Sequence, residues 1–162
     1  MDAEARSIKI HTAADFEAMR KAGRLAAETL DMIADHVEPG VTTEELDRLC
    51  AEFIADHGAI SAPLNYRGFP KSVCTSVNHV VCHGIPGDKT LAEGDIINID
   101  VTPIVEGWYG DSSRMFFAGE VSVKAKRLVD ITYESMLKGI EVVKPGATVG
   151  DIGFAIQSFV EP

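Results

Sequence analysis

Asp100 and Asp111 are the residues on which chemistry in this chain would turn. They flank a Glu106-Gly107 turn in the run GDIINIDVTPIVEGWYGDSSRMFF, which reads as a β-hairpin of β-branched and aromatic residues. With a two-residue turn, Val105 stands opposite Trp108 and Asp111 opposite Thr102. Period-two alternation then places Asp100 and Asp111 on one face, as diagonal neighbours roughly 7–8 Å apart at most; a bulge would bring them directly opposite. Two carboxylates so placed repel and raise each other's pKa unless a cation lies between them. Asp100 also sits between Ile99 and Val101, where an unpaired carboxylate is costly to bury. A divalent metal resolves both difficulties, and a shared carboxylate could bridge two ions. The plainer alternative makes one Asp a strand-end cap and pairs the other with Arg114.

His83, in Cys-His-Gly-Ile-Pro, stands at the end of a strand, from which its side chain could reach a cleft. Metal ligand, proton carrier, hydrogen-bond donor and plain structural residue are all open to it. His79 carries a weaker signal, and His11, His36 and His57 read as helix ends or surface. Cys74 and Cys82 read as pocket or core rather than nucleophiles, and Cys50 as core. Tyr66 and Phe69 lie in a loop and serve either packing or a pocket wall. No GxSxG, P-loop or GxGxxG pattern is present.

The elements that must position these residues follow from periodicity and punctuation. Thr12 and Asp15 form a capping-box signal ahead of an apolar stripe through Phe16, Met19, Gly23, Ala26, Leu30, Ile33 and Val37, which Pro39-Gly40 stops. A second helix opens at Thr42 with Glu45 as its capping box, buries Leu46, Leu49, Cys50, Phe53 and Ile54, and ends at Gly58. Residues 59–71 read as loop, 73–82 as strand with a turn near Asn78, and 96–105 and 108–117 as the hairpin. Pro103 makes its strand irregular or an edge there. A third helix spans 123–142, with Leu128, Ile131, Met136 and Ile140 apolar. A fourth begins at Thr148 with Ile152, Ala155, Ile156, Phe159 and Val160 on its apolar side. Residues 1–11 read as a loosely held lead-in.

These elements repeat. VEPGVTTEELDRLCAEFI, from Val37, aligns with VKPGATVGDIGFAIQSFV, from Val143, at a constant offset. Val37, Pro39, Gly40, Thr42 and Phe53 recur as Val143, Pro145, Gly146, Thr148 and Phe159. The expectation is a duplicated helix–helix–strand unit whose second copy stops after its helices.

Composition excludes several classes. The 162 residues suit one domain, with 46% hydrophobic and 25% charged residues. A net charge of −10 with no basic stripe argues against nucleic acid and anionic membranes. Three cysteines without CxxC spacing argue against a disulfide framework or a cysteine zinc site, and for a reducing compartment. No signal-peptide h-region and no membrane-spanning run is seen, so a soluble cytoplasmic protein is expected.

NYRGFPKSVCTSVNHVVCHGIPGD followed by LAEGDIINIDVTPIVEGWYGDSSRMFF resembles bacterial type I methionine aminopeptidase, from about Ile8 to the last residue. The resemblance implies an α/β (α+β) pita-bread fold with two pseudo-symmetric halves: a single incomplete catalytic domain over residues 1–162, its first repeat over about 12–118 and its second begun over 119–162. It implies a hydrolase that removes the initiator methionine from nascent chains, hence work near the ribosome. By position it makes Asp100 and Asp111 ligands of two divalent ions (Co, Mn, Fe or Zn), with Asp111 bridging. It makes His83 the catalytic histidine that contacts the substrate amide, and Tyr66, Phe69 and Cys74 the wall of the methionine pocket. Asn78, with the carbonyl of Val80, falls on a monovalent-cation site of some members. The family's remaining ligands, one histidine and two glutamates, have no match here, so the chain alone is expected to be inactive. The alternatives are another pita-bread metallopeptidase, of the Xaa-Pro aminopeptidase kind, and a non-catalytic pita-bread binding module.

Overall fold

A computed structural model describes residues 8–161; the first seven residues of the expected lead-in lie outside the described ones. The chain divides into two compact units, Met1–Gly119 and Glu120–Pro162.

The first unit opens with α1 (Ala13–Ala34) and α2 (Thr43–Asp56). Thr12 accepts the Asp15 amide while Asp15 accepts the Thr12 amide, so two otherwise orphaned donors at the start of α1 are satisfied reciprocally. Ala22, Leu25, Ala26, Thr29, Leu30 and Ile33 form the buried face of α1. The expected stripe holds from Ala26 onward but not before it: Phe16 and Met19 are 53% and 46% exposed, and Gly23 is exposed. The reason is Gly110, which lies so close to the Ala22 carbonyl that a Cβ there would stand 2.1 Å from its oxygen. The helix therefore approaches the sheet through its smallest residues rather than its largest. At α2 the cap is half of the expected box. Thr42 accepts the Glu45 amide, but the Glu45 carboxylate turns to Arg48 instead. Leu46, Cys50 and Ile54 are buried, and Leu49 and Phe53 only partly so.

Two three-stranded antiparallel sheets follow. One has the order β2 (Cys74–Val77), β3 (Ile96–Val101), β6 (Ser112–Phe117); the other has β1 (Ile60–Ser61), β4 (Pro103–Val105), β5 (Trp108–Tyr109). The hairpin runs through both. Val105 pairs with Trp108 and Asp100 with Ser113 in one unbroken register, so no bulge intervenes. Glu106 and Gly107 take φ of 51° and 86°, as a two-residue turn matched to the twist of its strands requires. The break at Thr102 is the irregularity expected at Pro103, but β4 is the central strand of its sheet and not an edge.

Two further readings need correction. The stretch 59–71 contains β1, too short to show periodicity, and a helical turn at Tyr66–Gly68. The strand expected over 73–82 ends at Val77, at the turn expected near Asn78, whose φ is 52°, and does not resume; Cys82 is consequently exposed rather than pocket or core.

Alternation sorts the β3 side chains. Ile97, Ile99 and Val101 are fully buried in the core with Leu30, Ile33, Leu46 and Cys50, while Asn98 and Asp100 face the other way and are half-buried.

The second unit holds α3 (Val123–Glu141) and α4 (Val149–Val160). Thr148 and Asp151 repeat the reciprocal capping box of α1. Gly139 is buried, and a Cβ there would lie 3.0 Å from the tip of Ile156. Ser135 and Gly139 are the buried residues of α3, and α4 has none; Leu128, Met136, Ile140 and Phe154 are exposed.

Candidate active site

One face of the sheets builds the floor of a cavity. Because directly opposed residues share a face, Cys74 on β2 stands beside Asp100 on β3. The same register carries on past the strand break, so Thr102, Ile104, Tyr109 and Asp111 also point to that side. All six residues line a cavity of about 710 Å³, within the range typical of ligand sites. Its other wall comes from Ala62, Pro63 and the turn that carries Tyr66, Arg67, Gly68 and Phe69; His83 and Ile85 complete it.

The structure thus brings Asp100, Asp111, His83, Tyr66, Phe69 and Cys74 to one cavity. Asn78 and Val80 do not line it. The Asn78 carboxamide is engaged elsewhere, donating to Asp95 at 2.7 Å and accepting the Ile96 amide at 3.1 Å.

Local backbone chemistry holds His83 in place. Its φ is 55°, a left-handed conformation uncommon for a residue with a Cβ. Gly84 follows because nothing larger fits: a Cβ there would stand 2.0 Å from the Thr75 carbonyl oxygen. Thr75 donates its amide to the Gly84 carbonyl at 2.8 Å, and Gly84 donates to Ser76 Oγ at 3.1 Å. The segment after β2 is therefore pinned back against β2, with His83 at the cavity. Asp47 ties the other end of β2 to α2, its Oδ1 accepting the amides of Ser72 at 2.8 Å and Val73 at 3.0 Å.

The electrostatics are those of two acids brought to one face. Burial, and after it the neighbouring charge of Asp111, raises the Asp100 carboxyl above its ordinary value, and His83 pulls in the opposite direction. Arg114 supplies no relief. It lies opposite Ile99, on the core face, and pairs with Asp31 at 2.7 Å. The pairing of an Asp with Arg114 that the sequence left open is thereby removed. Burial, and next Asp100, pushes the Cys74 thiol up to about 11, so at neutral pH it is an uncharged wall and not a nucleophile. Two hard carboxylate oxygens at a partly desolvated site fit a divalent cation as part of its ligand set. Among the described residues no group of three or more His, Cys, Asp and Glu side chains is placed to hold a metal ion.

The family model of metallopeptidase family M24 matches residues 17–162. The chain belongs to metallopeptidase family M24. Among relatives of this M24 chain, the methionine aminopeptidase of Rickettsia prowazekii is 66% identical over 155 residues, covering 96% of this chain and 60% of that protein. The methionine aminopeptidase of Escherichia coli K12 is 54% identical over 157 residues, again 96% and 60%. The crystal structure of the Rickettsia protein superimposes with a TM-score of 0.94 over 96% of this chain and 62% of that one. The fold is accordingly the pita-bread fold of these enzymes. An Xaa-Pro dipeptidase from Bacillus anthracis also superimposes, with a TM-score of 0.82 at 22% identity, which speaks for fold alone. This M24 chain spans 60% of the length of the curated relatives named here.

Arg67, like Ala62, Ile85, Ile104 and Tyr109, lines the cavity without having been singled out from the sequence. Its signal was the Asn65–Gly68 stretch, where a glycine and an asparagine mark left-handed backbone.

Proposed function

We propose that this chain carries the first part of the catalytic site of a methionine aminopeptidase, acting on the N-terminal methionine of nascent polypeptides in the cytoplasm beside the ribosome. The observation that carries the reading is the single cavity in which two carboxylates, a histidine and an aromatic-thiol wall meet. In this reading Asp100 and Asp111 would hold divalent metal as part of its ligand set, and ions held there would supply Lewis acidity toward the scissile carbonyl and activate a water.

The chain's own residues do the rest. Where no ion is held, the carboxylates of Asp100 and Asp111 attract the substrate's terminal ammonium toward the floor of the cavity. Tyr66, Phe69 and the uncharged Cys74 thiol offer the methionine side chain an apolar, polarisable wall, which suits a thioether. His83 donates a hydrogen bond to the amide at the cleavage point. Its backbone, pinned by Gly84, keeps the residue at the cavity before substrate arrives. The carbonyl of Val80 with Asn78 is the proposed place of a monovalent cation, outside the cavity.

Two aspartates are an incomplete ligand set for an M24 peptidase. The 162 residues by themselves are expected to release no methionine from a Met-Ala-Ser peptide in Mn²⁺ or Co²⁺; rapid release would overturn that expectation. Calorimetric titration with Mn²⁺ tests the ligands directly, since Asp111→Ala should abolish the heat of binding, and equal heats would remove the metal assignment. Peptides beginning with methionine should perturb the amide resonances of the cavity residues, whereas an Xaa-Pro peptide should not. The reverse pattern would favour a proline-specific peptidase.

A further inference from the structure

Arg67 has no role in the reaction described above, yet its position is unusual in three respects. It lines the same cavity as Asp100 and Asp111, and is the single Arg or Lys among the lining residues. Its backbone is left-handed, with φ of 50° and ψ of 32°, between Asn65 at 66° and Gly68 at 86°. Non-glycine residues are held in that region only where the surroundings impose it, and such positions gather at functional sites. Its guanidinium also lies over the Tyr66 ring, 5.4 Å from its centre, and among the described residues it has no carboxylate partner, a lack it shares with Arg24 and Arg127, whereas Arg20, Arg48 and Arg114 each contact one.

The cavity is therefore bipolar. Asp100 is half-buried on the floor, while Arg67 is exposed on the loop wall. A peptide whose ammonium is drawn to the floor must leave along the wall toward solvent, and its following residues pass the guanidinium. A planar fork of donors fixed on an aromatic face is suited to a carboxylate.

We propose that Arg67 is a specificity residue that pairs with an acidic side chain of the peptide, downstream of its first residue. The proposal rests on the peptidase reading above, in that it takes the ammonium end to be the one on the floor. At physiological salt the pairing is partly screened, so the discrimination is modest and strongest at low ionic strength.

The test is a chemical-shift titration of the ¹⁵N-labelled 162-residue chain with C-terminally amidated tetrapeptides, which carry no terminal carboxylate. Met-Ala-Asp-Ser and Met-Ala-Ser-Asp are compared with their Asn counterparts. At least one Asp peptide should bind about threefold to tenfold more tightly than its Asn counterpart at low salt, and the preference should fade as salt is added. Arg67→Gln should erase the preference without weakening the Asn peptides. Arg67→Gly, which suits the left-handed backbone, guards against a folding failure and should do the same. Equal affinities in the parent chain, or an Asp preference that survives both substitutions, would overturn the proposal and leave the peptidase reading standing. Absence of any shift at cavity residues with every peptide would overturn both together.

Discussion

The two units begin their second helices with the same device and bury very different things with it. Val37 to Phe53 and Val143 to Phe159 share the Pro-Gly stop, a left-handed glycine (φ 98° at Gly40, 90° at Gly146) and a threonine cap that accepts the third amide of the helix. In the first unit that helix lays Leu46, Cys50 and Ile54 against the sheet core. In the second, α4 buries no residue fully, and Phe154 on it is 74% exposed. Caps and stops are local and specify a helix wherever they occur. Burial needs a partner surface, and only the first unit contains strands among the described residues.

The largest test of that contrast is truncation of a core residue in each unit. Ile97 is fully buried between β2 and β6, whereas Ile140 on α3 is 58% exposed. Ile97→Ala should cost about 2–5 kcal/mol in urea unfolding, through lost burial and the cavity left behind. Ile140→Ala should stay within about 0.5 kcal/mol. Comparable losses would mean that the apolar face of α3 is covered in solution.

Glycine to alanine should act with opposite sign in the two units. At Gly110 the new Cβ meets backbone, the Ala22 carbonyl, which can yield only by moving α1; a loss of about 3 kcal/mol or more is expected. At Gly139 it meets the side-chain tips of Ile156 and Ile152 at 3.0–3.2 Å, and neither residue is fully buried. Those tips can swing away, so the gain in helix propensity, up to about 1 kcal/mol, should prevail. Thermal melts of the two variants decide it, and a destabilised Gly139→Ala would show α3 and α4 to be packed more rigidly than their exposure implies.

These cases also show what the sequence could convey. The hairpin register was legible because a two-residue turn fixes it, and with it the shared face of Asp100 and Asp111. The cap at Thr12 was legible because it is spelled by two residues three apart, while the same spelling at Thr42 and Glu45 yields half a box because Arg48 takes the carboxylate. The N-terminal half of the α1 face was not, since periodicity weights large apolar residues and the contact is made by Ala22 against Gly110. Nor was the left-handed backbone of His83, where the following Gly84 is pinned to Thr75 and Ser76.

Asp47 of the first unit and Asp151 of the second should further differ in how acid affects them. Burial raises the Asp47 carboxyl, outweighing the two amides that it accepts. The folded state then keeps that proton to higher pH than the unfolded chain does. The contribution of Asp47 is therefore greatest below the unfolded value of about 3.9, falls as pH rises through the window up to the folded value, and is flat above it. Asp151 behaves oppositely. Its bonds to the Thr148 amide and hydroxyl lower it, so its contribution is present above the unfolded value and lost as pH falls through the folded one. Unfolding free energies of Asp47→Asn and Asp151→Asn, measured between pH 3 and 7, should differ from the parent with slopes of opposite sign. Two slopes of one sign would break the assignment.

The smallest effect is the most direct test of the shared device. Thr42 and Thr148 each accept one amide, at 3.2 and 3.3 Å, but only Asp151 returns the bond to its cap; Glu45 is drawn off by Arg48. Thr42→Ala and Thr148→Ala should each cost about 1 kcal/mol. If capping is as local as the repeat implies, the two losses should agree despite the difference in burial. Thr42 and Glu45 are both partly exposed, so the Glu45 amide left without its acceptor stays within reach of water, as the Asp151 amide does, and burial offers no reason for a larger loss in the first unit. A cost at Thr42 several times that at Thr148 would show that the cap acts through the packing of α2 on the sheet, and that the common spelling of the two junctions hides two different energetic roles.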